Sequence, residues 1–202
     1  MAAQRDSTAT KARLLEAATD EFAAHGIAGA RVDRIAAAAN ANKQLIYAYF
    51  GNKDQLFDAV LTTRFRALTE DVPFAPDNLA GYVGRLFDYL MQHPEVLRLA
   101  TWAGLERPTA VAAFEADSYR TKLTAIADAQ RDGRLDASFA PADLLALALG
   151  VTGAWFTASE ALRTHDSEDP WSTERLTQFR AAAVQATTRI LSNAPPTSAA
   201  KD

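Results

Sequence analysis

The sequence contains no cysteine, which excludes disulfide bonds, thiolate zinc sites, cysteine nucleophiles and thiol redox sensing. Residues that interrupt helices are few, with 9 glycines and 8 prolines among 202 residues. No run of about 18 apolar residues occurs, so we expect no membrane span. Residues 1–20 carry charges where a secretory signal needs an apolar core, and we therefore expect a cytoplasmic protein.

Patterns typical of enzymes are also missing. The three histidines, His25, His93 and His165, lie far apart in the sequence and have no metalloprotease-type neighbours. The chain has no glycine-rich phosphate loop and no serine nucleophile elbow. The acidic loop 165–170 is interpreted as solvated charge because such charge runs usually face water. We therefore expect no catalytic residue, no metal site and no cofactor.

The charge of the chain is small and unevenly distributed. Its 21 basic and 25 acidic residues give a formal net charge of −4, which by itself argues against a nucleic-acid binder. Residues 1–53, however, hold seven basic and five acidic side chains, whereas the remaining residues hold 14 basic and 20 acidic. A head of charge +2 on a body of charge −6 suits a DNA-binding protein whose body stays away from the duplex.

Apolar residues recur at helical spacing along almost the whole chain, and no strand pattern or internal repeat is found. Proline and glycine fall at the ends of these stretches, where they start or stop helices. The sequence predicts an all-α fold of about nine helices, the first of them capped by Thr10 and ended by Gly26. The predicted ranges are 10–26, 32–39, 43–50, 52–68, 78–92, 94–104, 108–133, 141–164 and 173–192.

Residues 32–50 have the arrangement of a helix-turn-helix, two short helices joined by a tight turn. Helices that cross steeply need small residues at the crossing, and Ala36, Ala38 and Ala39 supply them. Asn40 tolerates the positive φ of the turn, and Asn42 can cap the second helix. Lys43 and Gln44 follow at the end that enters a major groove. The pattern taken alone also fits an ordinary αα-hairpin.

The region from Thr10 to Leu61 resembles the DNA-binding domain of the TetR/AcrR family of transcription regulators. The resemblance is carried in register by RVDRIAAAANANKQLIYAYFGNKDQLF. Its most specific positions are three aromatic residues followed by a lysine and two apolar residues, namely Tyr47, Tyr49, Phe50, Lys53, Leu56 and Phe57.

The resemblance implies particular contacts with DNA. The residues that open the recognition helix face base edges in this family, and lysine and glutamine suit guanine and adenine edges. The first tyrosine usually reaches a phosphate or a thymine methyl group, the second touches the DNA backbone, and the later lysine donates to a phosphate. The sequence also departs from the family pattern. Arg31 replaces the usual capping serine or threonine, and Asn40 replaces glycine. Leu45 and Ala48 stand where more polar residues are common, which leaves fewer direct base contacts. The expected DNA-binding residues are Arg31, Asn42, Lys43, Gln44, Leu45, Tyr47, Tyr49 and Lys53.

The rest of the chain resembles the family in helix count and length, which implies an effector cavity and a dimer interface. Such cavities are mostly apolar, and the candidate ligand-binding residues are Phe87, Met91, Trp102, Tyr119, Trp155 and Phe156. Small and apolar residues on the last two long helices suggest a four-helix dimer interface, with Leu149, Gly153, Phe179, Ala183 and Ile190 as candidates. Aromatic residues at helical spacing more often form ordinary core.

The sequence therefore predicts a DNA-binding domain over 1–54, an effector-binding and dimerisation domain over 55–193 and a disordered tail over 194–202. The expected function is a homodimeric repressor that binds a palindromic operator on double-stranded DNA and is released by a small apolar effector. Two alternatives remain open. One is a DNA-binding regulator without a small-molecule ligand, and the other is a helical adaptor or enzyme with a vestigial DNA-binding domain.

Overall fold

The computed structural model describes residues 2–165 and 169–191, with side chains from residue 7 onward except those of 110–114. Within these ranges all regular structure is helical, which confirms the all-α prediction. The described residues form ten α-helices, together with one 3-10 turn at Pro76–Asn78. They are α1 Ala2–Gly29, α2 Val32–Ala38, α3 Lys43–Phe50, α4 Lys53–Asp71, α5 Leu79–Gln92, α6 Pro94–Glu106, α7 Pro108–Arg131, α8 Pro141–Thr157, α9 Glu160–Arg163 and α10 Thr173–Leu191.

The first helix differs from the prediction at its start. It begins at Ala2, and Thr10 lies within it instead of capping it. The eight residues before Thr10 include no glycine or proline, so nothing in the sequence stops the helix from extending toward the N-terminus. Thr10 is buried, and its hydroxyl accepts a hydrogen bond from Arg13. The predicted end at Gly26 appears as a bend with φ of 68°, after which the helix continues to Gly29.

The predicted helix over 141–164 is also wrong, because it is divided in two. Ala158 has an extended backbone, with φ of −60° and ψ of 148°, and this ends α8. The hydroxyl of Ser159 then accepts a hydrogen bond from the backbone N–H of Leu162 and caps α9. A serine that can cap a new helix therefore competes successfully with continuation of the old one.

The chain forms two compact units. The first contains the residues up to Asp71 together with Leu90–Glu115, and the second contains Val72–Tyr89 and the residues from Ala116 onward. The core of the first unit is built by α1, α2, α3, α4 and α6, and its largest buried side chains include Phe22, Phe57 and Ile35. The division of function at residues 54 and 55 stays a prediction, and the tail 194–202 lies outside the described residues.

No described helix is long and apolar enough to cross a membrane.

Candidate nucleic-acid interface

Helices α2 and α3 pack against the core of the first unit through a few buried side chains. Ile35 and Ala36 of α2 and Ile46 and Phe50 of α3 are buried. Ala39 is buried at the crossing as predicted, but Ala38 is exposed, so the prediction that it lies at the contact is wrong. Two small residues are sufficient here because α2 has only seven residues and ends at this point.

The turn between the two helices has the local chemistry that the sequence predicts. Asn40 adopts a positive φ of 47°, which this residue type tolerates better than most. The side chain of Asn42 accepts a hydrogen bond of 3.0 Å from the backbone N–H of Gln44 and caps α3. Arg31 occupies the capping position of α2 without a side-chain cap, as its residue type implies. The turn and the cap fix the direction in which α3 presents its first residues.

One face of α3 is exposed and carries side chains that can read DNA. Gln44, Tyr47 and Ala48 are exposed at positions three and four residues apart, which places them on the same face. Tyr47 is 47% exposed although it is a large aromatic residue. Asn42 is exposed beside this face. By contrast, Leu45 and Tyr49 are only partly exposed and pack against the core of the first unit.

Lys43, the first residue of α3, forms an ion pair with Asp33 of α2. Its Nζ lies 2.7 Å from Oδ1 of Asp33, and both side chains remain substantially exposed. The hydrogen bond from Lys43 to Asp33 raises the pKa of Lys43 above its usual value. Lys43 is therefore charged and held in one direction in the free protein. The sequence did not predict this partner, because the two residues are ten positions apart on different helices.

Lys53 begins α4 and contacts the end of α1. Its Nζ donates to the backbone oxygens of Ala28, at 3.5 Å, and Ala30, at 3.3 Å. A cation near the last carbonyl groups of a helix is favourable because these groups carry partial negative charge. Lys53 thus links α4 to the segment that leads into α2, and its charge lies beside the start of the helix-turn-helix.

Glu21 of α1 holds the start of α2 in place. Its carboxylate accepts hydrogen bonds from Nε of Arg34, at 2.8 Å and 3.0 Å, and from the backbone N–H of Arg31, at 2.8 Å. Burial alone raises the pKa of Glu21, but these hydrogen bonds outweigh burial and hold the pKa below its usual value. Arg34 is therefore a structural residue, because it binds Glu21 and helps to hold α2 against α1.

Arg13 supports the other end of α2, since its Nε donates to the backbone oxygen of Ala39 at 3.3 Å. The roles of Arg13 and Arg34 depend on partners 26 and 13 residues away, and no local pattern in the sequence reveals them. Both arginines orient α2 instead of pointing toward a ligand.

A shallow groove of about 400 Å³ lies in the first unit beside the C-terminal end of α3. Lys11 and Arg66 contribute positive charge to its lining, and the Nζ of Lys11 lies 5.5 Å from the centre of the Phe50 ring. The sequence predicted no pocket at this place. Its lining residues are Lys11, Leu15, Tyr49, Phe50, Gln55, Ala59, Thr62, Thr63 and Arg66.

The predicted ligand-binding residues divide between the two units. Met91 and Trp102 belong to the first unit, where the Nε1 of Trp102 donates to the backbone oxygen of Ala23 at 3.3 Å. Phe87, Tyr119, Trp155 and Phe156 belong to the second unit. Trp102 therefore has a structural partner in α1.

Several aromatic rings of the second unit pack against one another. The ring of Phe87 lies 5.6 Å, centre to centre, from both Phe156 and Phe179. Trp155 lies 5.2 Å from Phe179 on one side and contacts Arg175, whose guanidinium carbon is 4.1 Å from its ring centre. Rings at these distances are in contact with one another. This ring cluster brings together three predicted ligand-binding residues and one predicted dimerisation residue, Phe179.

The other predicted dimerisation residues have different surroundings. Ala183 is buried within the chain, whereas Leu149, Gly153 and Ile190 are partly exposed. The exposed surface of α8 consists mainly of small residues. In the part of the chain that the structure describes, only the local backbone and chain neighbours of Gly150 lie within 4 Å of the place where its Cβ would be. The exposed small or apolar residues on this surface are Ala142, Ala146, Leu147, Gly150 and Ala154.

Comparisons with known proteins agree with this arrangement. Residues 14–60 match the bacterial regulatory proteins of the tetR family, and residues 78–189 match the tetracyclin repressor-like C-terminal domain. The chain is 50% identical over 152 residues to the HTH-type transcriptional repressor SCO4008 of Streptomyces coelicolor, a match that covers 74% of this chain and 79% of that protein. It is 29% identical over 105 residues to the HTH-type transcriptional repressor NicS of Pseudomonas putida, which covers 48% and 50% of the two chains.

A solved structure extends the match over almost the whole length. The transcriptional regulator SCO4942 from Streptomyces coelicolor superposes with a TM-score of 0.80 at 39% identity, covering 92% of this chain and 99% of that one. The fatty acid degradation regulator FadR of Bacillus halodurans has the same fold, with a TM-score of 0.65 at 14% identity over 86% and 94% of the two chains. With both domains matched and the helix-turn-helix in place, the chain belongs to the TetR family and is a DNA-binding transcriptional regulator.

Proposed function

We propose that this regulator is a homodimeric, cytoplasmic repressor that binds a palindromic operator and leaves it when a small apolar effector binds. The exposed face of α3 is the observation that carries the proposal, because Gln44 and Tyr47 project there from a helix fixed by a buried core. A helix presented in this way fits the major groove, where each base pair shows a distinct pattern of donors and acceptors.

The proposed contacts fall into two groups. Asn42, Lys43 and Gln44 lie at the start of α3 and contact base edges, with Tyr47 reaching a thymine methyl group or a phosphate. Arg31 and Lys53 contact phosphates from the starts of α2 and α4, where helix N-termini also favour anions. Leu45 and Tyr49 are partly buried, so only the exposed parts of their side chains can contact DNA.

Repression is supported by the relatives. Both SCO4008, at 50% identity, and NicS, at 29% identity, are named as transcriptional repressors. A repressor needs only to occupy its operator, and a two-fold symmetric dimer matches a palindrome whose half-sites lie about 34–36 Å apart.

The dimer interface is proposed to form from the exposed faces of α8 and α10. Ala146, Gly150 and Ala154 on α8 allow a close approach of a second copy, and Leu147 adds an apolar side chain that is 41% exposed. Leu149, Gly153 and Ile190 lie at the edge of this surface. Phe179 and Ala183 support it from within the chain.

Effector binding is proposed to act on the aromatic residues of the second unit, with Tyr119 and the rings of Phe87, Trp155 and Phe156 as contacts. Met91 and Trp102, which belong to the first unit, stay predictions as effector contacts. An apolar effector shifts the dimer toward a state that does not bind DNA only through its higher affinity for that state.

A second candidate function is favoured by the packing of the same rings. Phe87 contacts Phe156 and Phe179 directly, so an effector that enters between them must separate them. A regulator without a small-molecule ligand would keep this ring cluster closed.

DNA binding is tested with duplexes selected from a random library by the full-length protein. We expect Lys43→Ala to relax the preference for the selected sequence and Lys53→Ala to weaken binding to every sequence. Lys122→Ala, which removes the same charge from α7, is the control and should change neither. Unchanged binding by both of the first two variants would contradict the site.

The two candidate functions are separated by a panel of apolar compounds. For the effector-responsive repressor, at least one compound raises the melting temperature and releases the operator, because it stabilises the state that it binds. Phe156→Ala should then weaken that response without weakening operator binding. If no compound releases the operator and Phe156→Ala only lowers stability, the ligand-free regulator is supported.

A further inference from the structure

We propose that Asp33 is a positioning residue that sets the DNA-sequence discrimination of this regulator by holding the ammonium group of Lys43. The inference rests on the proposed contact of Lys43 with base edges. It assigns a role to an acidic residue at a surface that must approach the phosphates of DNA.

The geometry places the two residues at the joint of the helix-turn-helix. Asp33 is the second residue of α2 and Lys43 is the first residue of α3. The Oδ1–Nζ distance is 2.7 Å, and the side chains of Lys43 and Asp33 are 43% and 76% exposed. The pair is therefore accessible to DNA and bridges the helix that lies across the groove and the helix that enters it.

The nearby cations of α1 and α2 are held differently. Arg34 bonds to Glu21 and to the backbone oxygen of Gly29, and Arg13 bonds to the backbone oxygen of Ala39. These arginines fix the position of α2 relative to α1. Asp33 instead constrains a side chain at the opening of the recognition helix, so its effect falls on the contact with DNA.

An unconstrained lysine carries its charge on a flexible side chain, so its ammonium group can bind any phosphate within reach. Pairing with Asp33 restricts its rotamers before DNA arrives and leaves two of its three N–H donors for base-edge acceptors such as O6 and N7 of guanine. The carboxylate also offsets the lysine charge, which weakens attraction to phosphates of any sequence. Asp33 therefore lowers the affinity for all DNA and raises the preference for the correct sequence.

The test compares binding of the selected operator with binding of random duplex for full-length wild type and Asp33→Asn over a range of salt concentrations. We expect Asp33→Asn to bind random DNA more tightly, with a salt slope steeper by about one phosphate contact. We also expect the ratio of operator to random affinity to fall by about tenfold, within the range that one base contact contributes. Asp33→Glu keeps the carboxylate and should recover much of the ratio.

Two matched variants make the result specific. Asp54→Asn removes the same charge from the first turn of α4 and should leave the ratio unchanged. In a Lys43→Ala background, Asp33→Asn should no longer change the ratio, because the group that it positions is absent. Melting temperatures of all variants should match that of the wild type, since exposed ion pairs contribute little to stability.

The outcomes distinguish the inference from the proposed function. If Asp33→Asn strengthens binding to operator and random DNA equally, Asp33 acts only through charge and the inference is overturned. The inference is also overturned if the ratio of operator to random affinity falls only in variants whose melting temperature falls too, because Asp33 would then have a structural role. If Lys43→Ala itself leaves the ratio unchanged, the proposed contact of Lys43 with base edges is wrong, and the inference that rests on it is overturned as well.

Discussion

The carboxylate of Glu106, at the end of α6, accepts a hydrogen bond of 2.8 Å from the backbone N–H of Ala28. It accepts a second, of 3.1 Å, from the N–H of Ile27. These two N–H groups follow the bend at Gly26, where the backbone of α1 is not helical. One acidic side chain thus caps the last turn of α1, immediately before the segment that leads into the helix-turn-helix.

The cap predicts a loss of stability when the carboxylate is removed. Glu106→Ala leaves both N–H groups without this acceptor, and we expect the free energy of unfolding to fall by about 1–2 kcal/mol. Hydrogen bonds to charged groups contribute about 1.5–3 kcal/mol, and the exposure of Glu106 places the expected loss at the lower end. Glu106→Gln keeps one acceptor oxygen and should lose about half as much. Urea unfolding measures both. Asp117→Ala breaks an exposed ion pair with Arg120 and serves as the control; an equal loss in this variant would refute the cap.

The bend itself predicts a strong requirement for glycine at position 26. Its φ of 68° is unfavourable for other residues, and a Cβ would contact Oε1 of Glu106 and lie 2.8 Å from Cε3 of Trp102. We expect Gly26→Ala to lower the free energy of unfolding by about 2 kcal/mol or more, as measured by urea unfolding.

Gly29 provides a matched control in the same helix. A Cβ there lies at an ordinary 3.4 Å from His25, so Gly29→Ala should be neutral or slightly stabilising. If the two alanine variants had the same stability, the requirement at Gly26 would be disproved.

Features that depend on a few neighbouring residues were predictable from the sequence. The positive φ of Asn40 and the cap supplied by Asn42 are confirmed, because turns and caps satisfy backbone groups within the same short segment. The start of α1 and the break after Thr157 were missed. At both places the sequence allows the helix either to continue or to end, and the choice depends on small differences in helix propensity and capping.

Features that depend on distant partners were not predictable. Helical spacing shows that Phe87 and Phe179 face inward, but it does not show that they contact each other. In the same way, the sequence shows that Lys43 opens the recognition helix but gives no reason to pair it with Asp33. Side-chain partners follow from tertiary packing, which a single sequence leaves open.

Tyr82 predicts a change in stability at high pH. The residue is 4% exposed, and burial, with a further contribution from Tyr119, raises the pKa of Tyr82 to about 12 although Arg85 acts in the opposite direction. The folded chain therefore keeps this proton between pH 10 and 12, where the unfolded chain loses it. The stability associated with the neutral hydroxyl is fully present below pH 10 and is lost as the pH rises toward 12.

Two pKa units correspond to about 2–3 kcal/mol. In urea unfolding curves, the free energy of unfolding of the wild type should fall by about this amount between pH 10 and 12. We expect Tyr82→Phe not to show this fall, because it has no hydroxyl to ionise. The aromatic contact with Phe74, at 5.1 Å between ring centres, should survive because the ring is retained. Tyr47→Phe removes an exposed hydroxyl and is the control. If the free energies of unfolding of the wild type and Tyr82→Phe changed with pH in parallel, this effect of Tyr82 would be excluded.

Gly150 predicts a separation of dimerisation from folding. It lies exposed on α8, and among the described residues no atom outside its own local backbone and chain neighbours lies within 4 Å of the position that a Cβ would occupy. Gly150→Gln therefore fits the monomer and removes a helix-destabilising glycine. In the proposed dimer, the larger side chain would prevent the close approach of α8 to a second copy, and the two-fold symmetry would double the effect. We expect the variant to sediment as a monomer and to bind the operator more weakly than the wild type. Its monomer should be at least as stable as the monomer of the wild type.

Gly104 offers the control for this experiment, because it is also an exposed helical glycine whose Cβ position has no described atom within 4 Å apart from its local backbone and chain neighbours. Gly104→Gln gives the same chemical change on α6, outside the proposed interface, and should sediment like the wild type. The comparison removes general effects of glycine replacement on helix stability and on the polarity of the surface. A Gly150→Gln protein that sediments and binds the operator like Gly104→Gln would show that dimerisation uses another surface.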